Sequence, residues 1–541
     1  MENNNQCLPH LTPTITAGID GNYLDAYAVA LEGWRRGLTL KWHQKDVAPY
    51  EEIKTWYVDQ PGLLFSLHSK EKSHYFFRTR GDKVTKEAVQ KGMDKQITKE
   101  ILAKKGVAIP EGKLFNSNHT DNEIIDYCTT LTYPIVIKPL NGSFGKGVVS
   151  DINGEEELKK ALQYVRQELN EKSIIAERHV NGNDYRLYVV NNKVVGAILR
   201  VPPNVTGDGT STIETLIKQK NKLRSKNPRL VSCPIQVNNE TIEYLEKNHY
   251  TLETVLDKDK TVLLNNKANI SLGGDPIDVL DELSEEMKTI AVKALKAVPN
   301  LDHGAVDLMI ETSGEVEKGY VIELNPTAQL GGILFPIQGQ PRDVPSAIID
   351  YYFPETEKTD KNVQMYFNYH KALLPLKKGV AITTKMANLI PNTMTCKKLL
   401  IEGEFSRINS LTAIKNQAIR LNINGYVNLQ DDKVIEIIAL CNDKSFQQLK
   451  SVILEFENEL QVTDMKEKDW HEPVMLGFYI QDSDNELRNE IQQKGEELVY
   501  NNQRIRKLEK EFENIVNSSS WKLTAPVRKI TGGIKKALNK N

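Results

Sequence analysis

Hydrophobic and polar positions alternate along this chain in two periods, one typical of helices and one typical of strands. Apolar residues recur at helical spacing from Tyr23 to Arg36, over 155–169 and over 284–298, where Ser284 favours the N-cap. Short apolar runs predict strands at 37–43, 133–139, 174–180, 185–190, 193–201, 304–311 and 319–326. Strands and helices therefore alternate from residue 94 to about residue 354, which predicts an α/β unit.

A smaller unit follows at residues 396–480. Its apolar pattern predicts a strand, a helix, two strands, a helix and a last strand, at 397–405, 409–423, 425–429, 433–441, 444–460 and 473–480. This βαββαβ order predicts a ferredoxin-like sandwich. Residues 481–516 are highly charged, and apolar residues at spacings of three, four and seven predict a coiled-coil helix of about four heptads.

The pattern thus predicts an α/β (α+β) multidomain protein. At roughly 150 residues per domain, its 541 residues allow about three to four domains. The predicted parts are an N-terminal α/β region, the main α/β unit, a polar linker, the ferredoxin-like unit, the coiled-coil helix and a basic amphipathic tail, at 1–92, 93–354, 355–395, 396–480, 481–516 and 517–541.

Composition narrows the class of protein. Hydrophobic residues make up 40% of the chain, which suits folded cores, while no apolar run approaches the length of a membrane-spanning helix. The net charge of −2 gives no support to nucleic-acid binding. The five cysteines match neither a disulfide framework nor a zinc pattern, and the N-terminal residues do not resemble an export signal. We therefore expect a soluble, cytoplasmic protein that binds no nucleic acid.

A glycine-rich stretch is the first candidate for chemistry. NGSFGKGV at 141–148 follows the strand at 133–139, and such a turn can bring backbone N–H groups close to phosphates. It lacks the Walker A pattern, so the motif alone is weak. Lys138 ends the preceding strand, where a lysine either meets an anion or extends to water at the sheet edge.

Acidic residues within apolar strands are the second candidate. Asp307, Glu323 and Asn325 lie in two such strands, and residues 323 and 325 point to the same face. Buried carboxylates need a partner, and oxygen ligands of this kind suit Mg²⁺. Each acid alone also fits a structural ion pair, as do Arg186 and Arg200 on their strands. The conjunction with Lys138 and the glycine-rich stretch favours a metal site.

With these residues in place, the block 93–354 resembles an ATP-grasp ligase domain. The likeness is carried by 94–110, 133–148, 174–190 and 304–326, in that order and spacing. Two further stretches, LRVPPNVTGDGTSTIETLIKQKN and NISLGGDPIDV, are similar to the ATP-grasp halves of cyanophycin synthetases and bifunctional glutathione synthetases. The other halves of those enzymes have no counterpart in this sequence, which leaves the substrates open.

The resemblance implies roles on the nucleotide side of the site. Lys95 and Lys138 would contact the ATP phosphates, and Glu177 and Val180 would bind the adenine edge. Asp184 would reach the ribose hydroxyls. The loop at 142–147 would close over the phosphates through Gly142, Ser143, Gly145 and Gly147.

The resemblance also implies roles on the reaction side. Asp307, Glu323 and Asn325 would hold two Mg²⁺ ions, and Arg200 would stabilise an acyl phosphate and the tetrahedral state that follows it. Three residues would lie near the acceptor: Asn269, Ser271 and Gly273.

The implied function is an ATP- and Mg²⁺-dependent carboxylate–amine ligase. It would form an amide through an acyl phosphate, with an amino acid, a peptide or a cell-surface glycan precursor as substrate. One alternative is a cyanophycin-type poly-amino-acid or peptide synthetase. Another is an ATP-binding scaffold without catalysis, against which the complete set of site residues weighs.

The block 396–480 resembles acylphosphatase. That family needs an arginine after the first-strand loop and an asparagine just past a glycine-aromatic-Val strand. Counting from Gly403 places Leu411 or a neighbour at the arginine position, with Arg407 too early. Counting from Gly425 places Leu429 at the asparagine position, with Asn428 one residue before it. These departures favour a degenerate domain used for binding or assembly, with hydrolysis of acyl phosphates as the alternative.

The last 26 residues break the average composition, with six Lys or Arg and no acid. Basic residues interleaved with apolar ones suit an anionic membrane surface, and a solvated disordered end is the other interpretation. SSSWKLTAPVR is similar to the ends of many bacterial cell-surface glycosyltransferases, where it also follows a coiled coil. This likeness implies peripheral contact at the inner face of the membrane or with glycan-assembly enzymes. Self-association through the coiled coil is a further expectation.

Overall fold

The computed structural model describes residues 7–140, 147–313, 316–357, 365–389, 394–405, 407–431, 433–455 and 460–481. These residues form two compact units, the first reaching residue 389 and including 471–476, and the second made of 394–470 and 477–481. Gly142, Ser143 and Gly145 lie outside the described residues. So do all of the predicted coiled-coil helix except Gln481, and the whole basic tail.

The helices of the described residues are numbered in chain order. Their bounds are α1 Gly21–Arg35, α2 Lys86–Met93, α3 Lys95–Lys104, α4 Asp121–Thr130, α5 Glu155–Leu162, α6 Ile213–Arg224, α7 Asn239–Lys247, α8 Glu285–Ala297, α9 Gly331–Leu334, α10 Val344–Tyr352, α11 Tyr369–Lys377, α12 Arg407–Arg420 and α13 Asp443–Leu454. A π-helical turn, Gln163–Glu168, continues α5. No helix among the described residues has the length and apolar character needed to cross a bilayer.

The strands fall into several sheets. Their bounds are β1 Thr39–His43, β2 Leu64–His68, β3 Ser73–Phe77, β4 Arg80–Gly81, β5 Gly112–Phe115, β6 Ile135–Pro139, β7 Val149–Ile152, β8 Ile174–Arg178, β9 Asn183–Val190, β10 Lys193–Val201, β11 Asn204–Thr206, β12 Thr261–Leu263, β13 Asp275–Asp278, β14 His303–Ser313, β15 Val316–Asn325, β16 Met365–Tyr366, β17 Thr383–Lys385, β18 Thr395–Phe405, β19 Asn424–Asp431, β20 Val434–Cys441, β21 Leu460–Asp469, β22 Val474–Met475 and β23 Phe478–Ile480.

The N-terminal sheet has the order β17-β1-β2-β3-β4. Its first pair joins distant parts of the chain, since Trp42 lies opposite Thr384. The predicted linker therefore contains ordered elements of the first unit, namely β16, α11 and β17. The reason lies in the pattern: the charged stretch ends near residue 364, and Met365, Phe367 and Leu373 beyond it are buried.

Two further sheets carry the main α/β unit. A four-stranded sheet has the order β5-β8-β6-β7, and a five-stranded antiparallel sheet has the order β13-β10-β9-β14-β15. Helix α8 packs on the five-stranded sheet through a core that includes Met287, Leu295 and Leu308. Ser284 stands at the N-cap of α8, but its hydroxyl donates to Glu317 at 3.1 Å and makes no cap hydrogen bond.

The second unit has the strand order β21-β18-β20-β19-β23. Its first four strands give the ferredoxin-like arrangement, with α12 and α13 packed on a core that includes Leu399, Ile437 and Leu449. The predicted position of the last strand of the βαββαβ unit, 473–480, was wrong. The fourth strand is β21, and β23 adds a fifth strand parallel to β19. The sequence of β21, LQVTDMKEKD, is mostly polar, so an apolar pattern does not identify it.

Two buried histidines make the fold sensitive to acid. Burial lowers the pKa of His303 to about 3 and that of His43 to about 4. Below pH 6.5 the unfolded chain therefore binds protons that the folded chain excludes. We expect the free energy of unfolding to fall by up to about 1.4 kcal/mol per histidine per pH unit between pH 6.5 and 4. Urea midpoints at pH 7.5, 6 and 4.5 measure this, and a flat midpoint contradicts it; His303→Gln should reduce the slope.

Candidate active site

The acidic candidates meet on two paired strands. Asp307 of β14 lies directly opposite Glu323 of β15, and Asn325 donates to Glu323 through Nδ2 at 3.1 Å. A bulge at Ile322 shifts the register, so that Val321 and Leu324 both face the core. The structure therefore brings all three predicted metal ligands together on the face away from that core.

Two arginines from the neighbouring strands hold Asp307. Arg186 of β9 donates from Nε and Nη2 to its two carboxylate oxygens, both at 2.8 Å. Arg200 of β10 donates from Nη2 to Asp307 at 2.9 Å and to Asp184 at 2.5 Å. Arg186 was not singled out for the site from the sequence, although it lies opposite Asp307 in the sheet. Asp184, expected at the ribose, accepts hydrogen bonds from Arg200.

The electrostatics of this group suit a divalent cation. Burial and the nearby Asp307 carboxylate raise the pKa of Glu323. Burial opposes ionisation of Asp307, but Arg186 and Arg200 outweigh it and hold its pKa well below the usual range. Two buried carboxylates thus face each other with an amide oxygen beside them, a set of hard oxygen donors that fits Mg²⁺. A cation there would relieve the repulsion that raises the pKa of Glu323.

A second charged group lies on the four-stranded sheet. The Glu177 carboxylate of β8 accepts hydrogen bonds from Lys138 of β6 and Lys99 of α3. Burial opposes ionisation of Glu177, but these ammonium groups lower its pKa, and burial lowers the pKa of Lys99. Glu177, which the resemblance places at the adenine edge, is the counter-ion of Lys138 and Lys99. Lys99 was missed from the sequence, although it lies four residues after Lys95 on one face of α3.

Lys95 lies between the two charged groups. Its pKa is lowered by burial and by Lys138, while the carboxylates of Glu323 and Glu177 act in the opposite direction. Its Nζ donates to the carbonyl of Pro139, at the end of β6, at 3.4 Å. The Lys95 ammonium thus interacts electrostatically with Lys138 and Glu177 on the four-stranded sheet and with Glu323 on the five-stranded sheet. The two charged groups therefore belong to one candidate site.

The remaining candidates lie around this site. Gly147 has φ +75°, and a Cβ there would lie 2.7 Å from Pro139 Cγ, so the end of the glycine-rich stretch passes close over β6. Val180 is buried just after β8. Residues 269–274, which include Asn269, Ser271 and Gly273, lead into β13. Because β13 pairs with β10, this loop lies beside the strand end that carries Arg200.

Comparison with known families agrees with this arrangement. Residues 92–214 match the RimK-like ATP-grasp domain, and residues 397–480 match acylphosphatase. The first unit contains an ATP-grasp domain. The ATP-grasp family match ends near α6, so it covers Lys95, Lys138, Glu177 and Arg200 directly.

The ATP-grasp unit also resembles individual proteins. A cyanophycin synthetase of Trichormus variabilis is 36% identical over 284 residues, covering 52% of this chain and 31% of that protein. The glutathione biosynthesis bifunctional protein GshAB of Desulfotalea psychrophila is 33% identical over 264 residues, covering 48% and 33%. The chain thus spans about a third of the length of these relatives. The crystal structure of a bifunctional glutathione synthetase from Pasteurella multocida is 26% identical, with a TM-score of 0.43, and covers 54% of this chain and 41% of that one.

In the acylphosphatase-like unit, apolar residues occupy both positions counted from the sequence. Helix α12 begins at Arg407, only four residues after Gly403, while Leu411 is buried within the helix. The position counted from Gly403 therefore lies inside α12 and not in the connection before it. Leu429 pairs with Ile435 and packs against the core, whereas Asn428 lies opposite Glu436. An apolar residue thus occupies the predicted asparagine position.

Proposed function

We propose that this protein is an ATP- and Mg²⁺-dependent carboxylate–amine ligase that forms an amide through an acyl phosphate. The position of Lys95 carries the proposal, since its Nζ donates to the carbonyl of Pro139, the residue after Lys138, and its ammonium also interacts electrostatically with Glu323. A phosphate bound by the lysines would then meet the oxygen donors that suit Mg²⁺. The ATP-grasp match and the ligases among the relatives support the same reaction class.

Each group has a distinct part in the proposed reaction. Lys138 and Lys95 bind phosphate oxygens, and Asp307, Glu323 and Asn325 hold Mg²⁺, which would neutralise charge on the transferred phosphoryl group. The substrate carboxylate attacks the γ-phosphorus and ADP leaves. The amine then attacks the acyl carbon, and phosphate leaves with the bond electrons. Arg200 donates to the oxyanion of that tetrahedral state, while Arg186 keeps Asp307 ionised and oriented.

Roles on the nucleotide side of the site follow the side-chain contacts. We assign Glu177 to orienting Lys138 and Lys99, with its backbone and Val180 at the adenine edge. Asp184 orients Arg200 through the 2.5 Å contact, which competes with a role at the ribose. The loop of Gly142, Ser143, Gly145 and Gly147 covers the phosphates, and Asn269, Ser271 and Gly273 lie at the acceptor.

Release of ADP tests the proposed reaction. The whole chain is incubated with Mg²⁺ and ATP against pairs of amino acids, sugar acids and amino sugars, and products are identified by mass spectrometry. We expect ADP and phosphate to appear with one acid–amine pair and to depend on both partners. Turnover that ignores the acid and the amine overturns the proposal. Lys45→Gln, which breaks an exposed ion pair with Asp59, is the control that keeps full activity.

A cyanophycin-type synthetase is the second candidate function, because cyanophycin synthetases are among the relatives at 33–36% identity. Repeated addition would give products spaced by a constant mass in the same assay, whereas a single addition gives one product. A scaffold that binds ATP without catalysis would give neither product nor ADP.

The remaining parts of the chain complete the proposal. We infer that the acylphosphatase-like unit binds or assembles partners, because Leu429 occupies the predicted asparagine position. The sequence of 481–516 supports self-association, and the basic residues of 517–541 support peripheral contact with an anionic membrane or with glycan-assembly enzymes. A cytoplasmic location at the inner face of the membrane follows from the same reasoning.

A further inference from the structure

Two cations of α6 converge on one buried carboxylate at the start of β13. Asp275 accepts from Arg224 Nη1 at 2.6 Å through Oδ1 and from Lys220 Nζ at 2.5 Å through Oδ2. Asn204 Nδ2 donates to the same Oδ2 at 3.0 Å. Arg224 and Asp275 are both buried, so their charges compensate each other away from water. Such a pair is rigid because neither partner has a solvated alternative.

The same helix also fixes two backbone segments. Arg224 donates to the carbonyl of Cys233 from Nε at 3.1 Å and from Nη2 at 2.8 Å, and Nη2 reaches the carbonyl of Gly274 at 3.2 Å. Asn221 exchanges two hydrogen bonds with the backbone of Ile235, at 2.9 and 2.8 Å. Helix α6 therefore ties residues 233–235 to the residues that open β13.

The loop 269–274 is enclosed by these fixed segments. Gly273 has φ +99°, and a Cβ there would lie 3.0 Å from Ile235 Cα. A Cβ on Gly274 would lie 3.0 Å from the carbonyl oxygen of Val201, the residue after Arg200. In the sheet, Val201 lies opposite Asp275. The loop is thus held between Ile235 on one side and the end of the Arg200 strand on the other.

We propose that Asp275 and Arg224 are positioning residues for the amide-forming step. They hold the acceptor loop 269–274 at a fixed distance from Arg200, so that the amine and the acyl carbon meet in the geometry of attack. This inference rests on the proposed function and deepens it, since it separates the second half-reaction from the first. Acyl phosphate formation depends on the lysines, the metal ligands and Arg200, whereas the side chains of Asp275 and Arg224 bond to Lys220, Asn204 and the carbonyls of Cys233 and Gly274.

Hydroxylamine separates the two half-reactions. This small nucleophile traps an acyl phosphate as a hydroxamate without needing the acceptor loop, whereas the amine identified by the ADP screen needs it. In Asp275→Asn and Arg224→Lys we expect amide formation to fall about 10²-fold while hydroxamate formation changes less than about threefold, because misplacement acts on the oriented step. Equal losses in both reactions overturn the inference. Glu214→Gln, which breaks an exposed ion pair with Lys218 on the same helix, is the matched control.

Hydrogen–deuterium exchange gives a readout that needs no turnover. Arg224→Lys keeps the charge but loses the planar fork that reaches two carbonyls, so it is the gentler variant should Asp275→Asn fail to fold. We expect faster exchange at 269–274, with β9 and β10 as protected as in the parent protein. Unchanged exchange at the loop overturns the inference. A parent protein without ATP turnover overturns only the proposed function, since the exchange still reports whether the ion pair holds the loop.

Discussion

Replacing Glu323 by Gln is expected to reduce acid- and amine-dependent ADP release at least about 10³-fold, or about 4 kcal/mol in the activation free energy. The substitution keeps the shape of the side chain and removes an anionic oxygen from the predicted metal set. It also removes a carboxyl group whose pKa is raised by burial and by the Asp307 carboxylate. The melting temperature should therefore stay level or rise while activity disappears.

The control for this variant lies on the same strand. Glu317→Gln changes an exposed carboxylate of β15 that accepts from Ser284, and we expect it to retain parental activity. ADP release and thermal melting of both variants, measured across a range of Mg²⁺ concentrations, give the comparison. Activity of Glu323→Gln within about threefold of the parent would remove Glu323 from the metal site.

Replacing Lys138 by Met is expected to lower kcat/KM for ATP about 10²–10³-fold, because a buried phosphate ligand is lost. The variant also removes one of the two buried ion pairs of Glu177 and leaves Lys99 as its remaining partner, so stability should fall by less than the loss of a whole buried pair would cost. A lower melting temperature should accompany the loss of activity. The triple variant Lys99→Met/Lys138→Met/Glu177→Gln removes all three charges of this buried group, so it should recover stability without recovering activity.

This triple variant separates structural from catalytic roles. If activity returned together with stability, Lys138 would only support the fold. Lys113→Met on strand β5 of the same sheet is the matched control, since its exposed ammonium lies over the rings of Phe115 and Tyr127. Its ATP kinetics should match those of the parent protein.

The sequence predicts local features of this site better than long-range ones. Strand alternation placed Glu323 and Asn325 on one face, and the structure brings them together with Asp307. Arg186 could not be assigned in the same way, because its role depends on lying opposite Asp307, in a strand more than a hundred residues away. Lys99 likewise gains its role only when α3 meets β8 at Glu177.

The fold shows the same division. Helices α5 and α8 and strands β6, β8, β9, β10, β14 and β15 follow from apolar periodicity, because each buries a stripe or a face. Strand β21 could not be predicted in this way because it is exposed and mostly polar, so it is held by its ladder with β18 more than by burial. The pairing of β17 with β1 was also beyond prediction, since nothing local to Thr383–Lys385 specifies a partner near residue 40.

The pairing of β17 with β1 also affects how the protein is made. Strand β1 can pair with β17 only after residues 383–385 have left the ribosome, some 340 residues after β1 itself. At about 5–20 residues per second, this leaves the growing chain with an incomplete N-terminal sheet for roughly 20–70 s. The aromatic side chains around Trp34 and Trp42, which are buried in the finished protein, stay partly uncovered during that time. The interval defines when a nascent chain of this protein most needs protection from aggregation.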